Sequence, residues 1–166
     1  MKIVITGSLG NISKPLAMEL IQKGHRVTVI SSRPERQKDI ENIDARAAIG
    51  TVQDVDFLTA TFKGADIVYL MGMFEAAGSL FDKDVDFIAA FLRIGNNYKQ
   101  AIQQSGVKKI MYLSAAGANL NKDNGVLFIH YNLEHLLKEL PDDVSIKFMR
   151  AAMVKRVLIW LWKRIN

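Results

Sequence analysis

The chain predicts a single-domain α/β fold: a doubly wound parallel sheet of about six strands with helices on both faces. Short β-branched runs alternate with helical patterns through the first 150 residues, the pattern of repeated βαβ units. Several runs, such as Ile67-Val68-Tyr69-Leu70-Met71, are apolar throughout, as expected of strands covered on both sides. Glycine and proline mark the ends of the intervening segments where helices should start and stop.

The expected strands are Lys2 to Thr6, Arg26 to Ser31, Ala45 to Ile49, Asp66 to Met71, Lys109 to Ser114 and Val144 to Met149. A first helix should run from Ser13 to Lys23, with Pro15 near its start and Gly24 just beyond it. Pro34 opens a charged second helix through Ile43. Asp54 is placed to cap a third, whose Phe57, Leu58, Thr61 and Phe62 recur at helical spacing before Gly64 ends it. A longer helix, about Asp84 to Ser105, should turn Val85, Ile88, Ala89 and Leu92 toward the core and stop at Gly106. The last spans roughly Ile129 to Leu140, ahead of Pro141.

Composition narrows the function. At 166 residues the chain can bury a core without disulfides or metal, and no apolar run is long enough to cross a bilayer. Strand-like residues from Lys2 leave no room for a secretory leader, so a cytoplasmic location is expected. With no cysteine and three scattered histidines, thiol and metal chemistry are disfavoured. The net charge of +5 hints at nucleic acid, but the segment 151–166 holds four of the 22 basic residues and none of the 17 acids. The rest is almost neutral and shows no basic stripe with aromatic platforms, so no nucleic-acid partner is expected.

The chemical signal is Thr6-Gly7-Ser8-Leu9-Gly10-Asn11-Ile12-Ser13, between an apolar strand and a helix. A diphosphate needs backbone N–H groups aimed at it with no Cβ in the way, and a helix N-terminus adds the positive end of its dipole. Gly7 and Gly10 supply the turn and the close approach, while Ser13 stands at the third small position. A Rossmann-like dinucleotide site follows. In NAD-binding sites an acid at the end of the second strand accepts from the ribose hydroxyls; here the chain reads Ile30-Ser31-Ser32-Arg33-Pro34. Two hydroxyls and a guanidinium favour a 2′-phosphate, hence NADP, with NAD the alternative. Strand carboxyl ends should gather Gly7, Ser32, Gly50, Gly72 and Ser114 on one rim. The expected cofactor residues are Gly7, Ser8, Leu9, Gly10, Asn11, Ile12, Ser32, Arg33, Gly50, Met71, Gly72 and Ser114.

Together with Gly50 and Asp54, and with Leu113-Ser114 followed by Gly117, these motifs resemble an atypical short-chain dehydrogenase/reductase, and more narrowly the NmrA-like group of NAD(P)-binding proteins. The resemblance covers residues 1–150 and implies that the Gly50 segment lies beside adenine and the Gly72 and Ser114 loops on the nicotinamide side. The wider family's Tyr-x-x-x-Lys pair is missing. Anchoring on Glu134 puts His130 in the lysine position and Val126 in the tyrosine position; a shifted register gives Tyr131-x-x-x-His135. Ser114, His130 and Tyr131 remain as catalytic candidates, each with a plain structural alternative: a strand end, a helix surface and a half-buried helix position.

After Arg150, where the resembled family has Arg-Pro, this chain has Ala151 and a tail with both tryptophans. It reads as a relative cut short or frame-shifted before its substrate part. Val154, Val157, Leu158, Leu161 and Ile165 share a helical face, expected to cover the sheet, pair with another subunit or touch an anionic membrane surface. The expected function is transfer of hydride from NADPH to a small quinone or carbonyl substrate. The alternatives are a non-catalytic NAD(P) sensor acting on a regulatory partner protein, or an inactive truncated relative.

Overall fold

The computed structural model describes residues 1–72, 86–120 and 127–151. Six parallel strands form one sheet: β1 Lys2–Ile5, β2 Arg26–Ser31, β3 Arg46–Ile49, β4 Ile67–Met71, β5 Lys109–Ala115 and β6 Ser145–Ala151. Their order is β3-β2-β1-β4-β5-β6, so the direction of winding reverses between β1 and β4. In an open parallel sheet that reversal opens a crevice at the carboxyl ends of the two strands. The sequence expectation of a doubly wound α/β sheet holds.

The helices are α1 Ser13–Gln22, α2 Gln37–Glu41, α3 Val55–Phe62, α4 Phe87–Ser105 and α5 Phe128–Lys138. Alternation along each strand divides the core in two. Ile3, Ile5, Val27, Val29 and Tyr69 pack with Ala17 of α1 and Ile40 of α2. Val4, Ile30, Val68, Leu70, Ile110 and Tyr112 meet α3, α4 and α5 on the opposite face.

Local punctuation works largely as read. The Asp54 carboxylate accepts from Phe57 N at 3.0 Å and caps α3, a contact that contributes about 1 kcal/mol. Gly24, Gly64 and Gly106 take φ of +80°, +73° and +74°, the left-handed conformation that glycine adopts without strain. The charged second helix is shorter than expected: a 3-10 turn, Pro34–Arg36, precedes α2.

The apolar stripe of α4 is a correction. Ile88 is 44% exposed, whereas Phe87, Phe91, Ile94, Tyr98 and Ala101 are buried; Val85 lies outside the described residues. Two facts rotate the helix. The row from Phe87 carries the bulkier rings, and Gly95 leaves a gap that Leu133 and Leu136 of α5 fill.

Candidate functional site

A cleft of about 520 Å³ opens at the reversal point, lined by residues 7–13, by Ser31, Ser32, Arg33 and Arg36 after β2, and by Met71 and Gly72 after β4. Its floor is tied together across the sheet. Thr6 N donates to the Tyr69 carbonyl, Met71 N donates to Thr6 Oγ1 at 3.0 Å, and the Ser13 hydroxyl reaches Met71 Sδ at 3.1 Å. Ser31 Oγ donates to Ser8 Oγ at 3.1 Å and accepts from Arg33 N at 3.2 Å, which joins the glycine turn to the end of β2. Ile12 gives α1 no side-chain cap, so no side chain of its own occupies the positive end of the helix dipole.

The two glycines of the turn differ. A Cβ at Gly7 would stand 2.6 Å from Met71 Sδ and 2.8 Å from Ser13 Oγ, so a side chain there would force Met71 and Ser13 to shift. At Gly10 the nearest atom to such a Cβ is the Ser8 carbonyl at 3.8 Å, so packing tolerates a side chain and the space belongs to the cleft.

Of the expected cofactor residues, Gly7, Ser8, Leu9, Gly10, Asn11, Ile12, Ser32, Arg33, Met71 and Gly72 line this cleft. Gly50 and Ser114 do not. Gly50 lies under the Phe57 ring, whose Cε2 would be 2.5 Å from a Cβ, and its N–H donates to the Ser31 carbonyl. Glycine is needed there to seat a ring of α3.

Ser114 is 3% exposed, and its hydroxyl donates to Glu134 Oε1 at 2.6 Å. Arg150, its register partner on β6, holds the same carboxylate with two bonds of 2.9 and 2.6 Å. Burial alone would raise the Glu134 pKa, but hydrogen bonds from Arg150 and Ser114 and the arginine's charge outweigh it and hold the value below the ordinary range.

His130 is turned inward, away from the helix surface. Its Nδ1 lies 2.6 Å from the hydroxyl of buried Tyr112, and its Cε1 would be 3.7 Å from a Cβ at Gly72. It therefore stands behind the cleft on the β4–β5 side. Tyr112 and Tyr98 are both pushed well above the ordinary phenol range by burial, so each stays a neutral donor; Tyr98 gives its proton to the Met71 carbonyl at 3.2 Å. Tyr131 is half-buried, stacked on Phe128 at 5.8 Å and against His135 at 4.1 Å. Val126 and residues 152–166 lie outside the described residues, while Ala151, the first residue of the tail, ends β6.

Desolvation lowers the His130 pKa, and the Glu134 charge opposes this only in part. The unfolded chain then binds a proton that the folded chain resists, so His130 should make stability decline as pH falls below its unfolded value of about 6.5. Melting temperatures from pH 7.5 to 5 should fall less steeply in His130→Asn than in wild type; parallel slopes would refute the assignment.

Reading the sequence missed Arg36 in the cleft and the buried Ser114–Glu134–Arg150 and Tyr112–His130 groups; Ser31, read there as one of two hydroxyls at the end of β2, does line the cleft. Arg36 was visible as a second cation three residues after Arg33, within reach on one helical turn, although Asp39 holds its Nη1 at 3.1 Å. The buried groups carry no local motif, because the packing of α5 on β5, together with the β5–β6 register, brings their members together.

Residues 7–143 match a protein family described as NAD(P)H-binding. A curated relative, the decarboxylating sterol-4-alpha-carboxylate 3-dehydrogenase of Dictyostelium discoideum, is 25% identical over 127 residues, covering 74% of this chain and 38% of that protein. Among solved structures, Citrobacter sp. triphenylmethane reductase complexed with NADP(H) matches with a TM-score of 0.76 and 16% identity, over 96% of this chain and 52% of that one. The NADPH-dependent quinone oxidoreductase of Escherichia coli, complexed with NADPH, matches at 0.69 and 19%, over 89% and 48%. A Staphylococcus aureus nucleoside-diphosphate-sugar epimerase matches at 0.76 and 17%, over 98% and 55%. The chain thus spans about half the length of these structures and less of the curated relative. At such identities the structural likeness establishes the fold.

Proposed function

The chain belongs to the NAD(P)H-binding family, and on that premise we propose that it takes NADP(H) in the cleft at the β1–β4 reversal and serves hydride transfer to a small quinone or carbonyl electrophile. One observation carries the choice of NADP. The end of β2 presents Ser31, Ser32, Arg33 and Arg36 to the cleft, and among the described residues no Asp or Glu lines it. A 2′-phosphate at the end of β2 would meet hydroxyls and guanidinium groups.

The cleft fits the rest of such a group. Gly10 leaves room for a diphosphate at the uncapped start of α1, and the volume lies within the usual range for small-molecule sites. Bound NADPH supplies the hydride; the protein's part is to hold the dinucleotide by the turn, Ser32 and Arg33, with Met71 and Gly72 walling the nicotinamide side. The narrower NmrA-like affiliation and a cytoplasmic setting belong to this proposal. The named relatives act as reductases, dehydrogenases or epimerases, which supports a redox role.

Titration calorimetry tests the cofactor assignment. Arg33→Ala should weaken NADP⁺ binding by about 10- to 100-fold, the worth of a charge-assisted hydrogen bond, and leave NAD⁺ binding nearly unchanged. Equal affinities of the wild-type protein for the two nucleotides would overturn it. A second reading, a sensor that binds without turnover, is favoured by one observation: the Ser114 hydroxyl and the Tyr112-bound Nδ1 of His130 are already engaged within the protein. NADPH consumption with a panel of quinones separates the two, since a sensor melts at higher temperature with NADPH yet oxidises none of it.

A further inference from the structure

A second cleft, about 470 Å³, opens at the other end of the sheet, where β1, β2 and β3 begin and α3 ends. Lys2, Arg26, Arg46 and Lys63 line it together with His25, Thr28 and Thr61, and among the described residues Asp44 is the only carboxylate that lines it. Register explains the convergence. Lys2 pairs with Arg26 and Thr28 with Arg46 in neighbouring parallel strands, so all four project from one face, two strand spacings wide. Lys63, just after α3, closes the side, and the Lys2 ammonium comes within 4.0 Å of a Cβ placed at Gly64.

Elsewhere on this protein Lys23, Arg36, Lys99, Lys108 and Arg150 are each paired with a carboxylate. Among the described residues none of the four cations in this cleft forms an ion pair, and the nearby Asp66 accepts from the backbone N–H of Lys2. Like charges crowded into a concave surface raise the local potential and attract anions more strongly than the same charges spread over a convex one. The Thr28 hydroxyl adds a neutral donor at the centre, while that of Thr61 is held by the Phe57 carbonyl.

We propose that this cleft is a second anion site, separate from the dinucleotide cleft, which binds a small oligophosphate through Lys2, Arg26, Arg46 and Lys63. Several phosphates in a chain match several cations spread over the starts of three neighbouring strands and the end of α3; a single phosphate or a carboxylate would engage only one or two. The two guanidinium groups supply planar forks suited to phosphate oxygens.

Calorimetry of the full chain with inorganic tripolyphosphate and with ATP, at constant ionic strength, tests this. Saturable binding of either should appear in wild type and fall tenfold or more in the double variant Arg26→Gln/Arg46→Gln, which should still bind NADP⁺ as wild type does. Arg33→Ala should leave the oligophosphate isotherm unchanged. Comparable affinities for the two probes assign recognition to the phosphate chain alone, and a tenfold preference for ATP assigns a nucleotide; both support the site. No saturable binding, or binding lost in Arg33→Ala and kept in the double variant, would overturn it.

Discussion

Gly7→Ala is expected to destabilise the protein by about 1–3 kcal/mol before any ligand is added, because the new methyl collides with Met71 Sδ and Ser13 Oγ where β4 and α1 press on the turn. Separating those groups should also widen the turn and reduce NADP⁺ affinity at least tenfold. Gly10→Ala makes the informative contrast. Its methyl meets no packed atom, so the stability without ligand should stay within about 0.5 kcal/mol of wild type. Its NADP⁺ affinity should nonetheless fall tenfold or more, since the methyl occupies the approach to the helix N-terminus. Thermal melts and calorimetry of the two variants check both halves. Equal loss of stability in both, or undiminished affinity in Gly10→Ala, would show that the turn is structural only.

The second large effect is expected at Glu134. Its carboxylate is 1% exposed and takes three hydrogen bonds, from Ser114 and twice from Arg150. Glu134→Ala leaves a cavity and a serine and an arginine without their acceptor. Removing one member of a buried pair costs about 3–5 kcal/mol; the Arg150 side chain is 38% exposed and can turn to water, which favours the lower end. A loss of about 3 kcal/mol corresponds to a melting temperature roughly 6–12 °C lower in a domain of this size. The sign with pH follows from the lowered pKa. The carboxylate stabilises the fold fully above its unfolded value of about 4.3, and this contribution fades as pH drops through the lower folded value. Glu134→Gln should therefore flatten the acid limb of the stability curve. A Glu134→Ala melting curve superimposable on wild type would refute the clamp.

The fold was legible because its signals are local and repeat. Each strand is a short apolar run and each helix end carries its own residue: Asp54, Gly24, Gly64, Gly106. The glycine turn was legible for the same reason, since strand, turn and helix are contiguous from Lys2 to Gln22. Rotation of α4 was less so. Its stripe depends on which neighbour fills the gap at Gly95, and Leu133 lies nearly forty residues further on. Gly50 carries a second role that its sequence position does not reveal: a glycine after a strand looks like a ligand-facing position, and this one makes room for Phe57. Ser114 looked like a rim residue, and only the docking of α5 against β5 shows its hydroxyl engaged by Glu134. Such contacts are set by how helix and sheet pack together, which no single segment encodes.

The bond from Met71 N to Thr6 Oγ1 joins residues 65 positions apart, and the glycine turn is walled by Met71 only after β4 has docked beside β1. Closing a segment of that length carries an entropic cost that local helix and turn formation does not. The dinucleotide cleft is thus among the later features to mature as the chain folds. In stopped-flow refolding, nucleotide binding should lag the recovery of helical signal, making cofactor occupancy a clock for the insertion of β4.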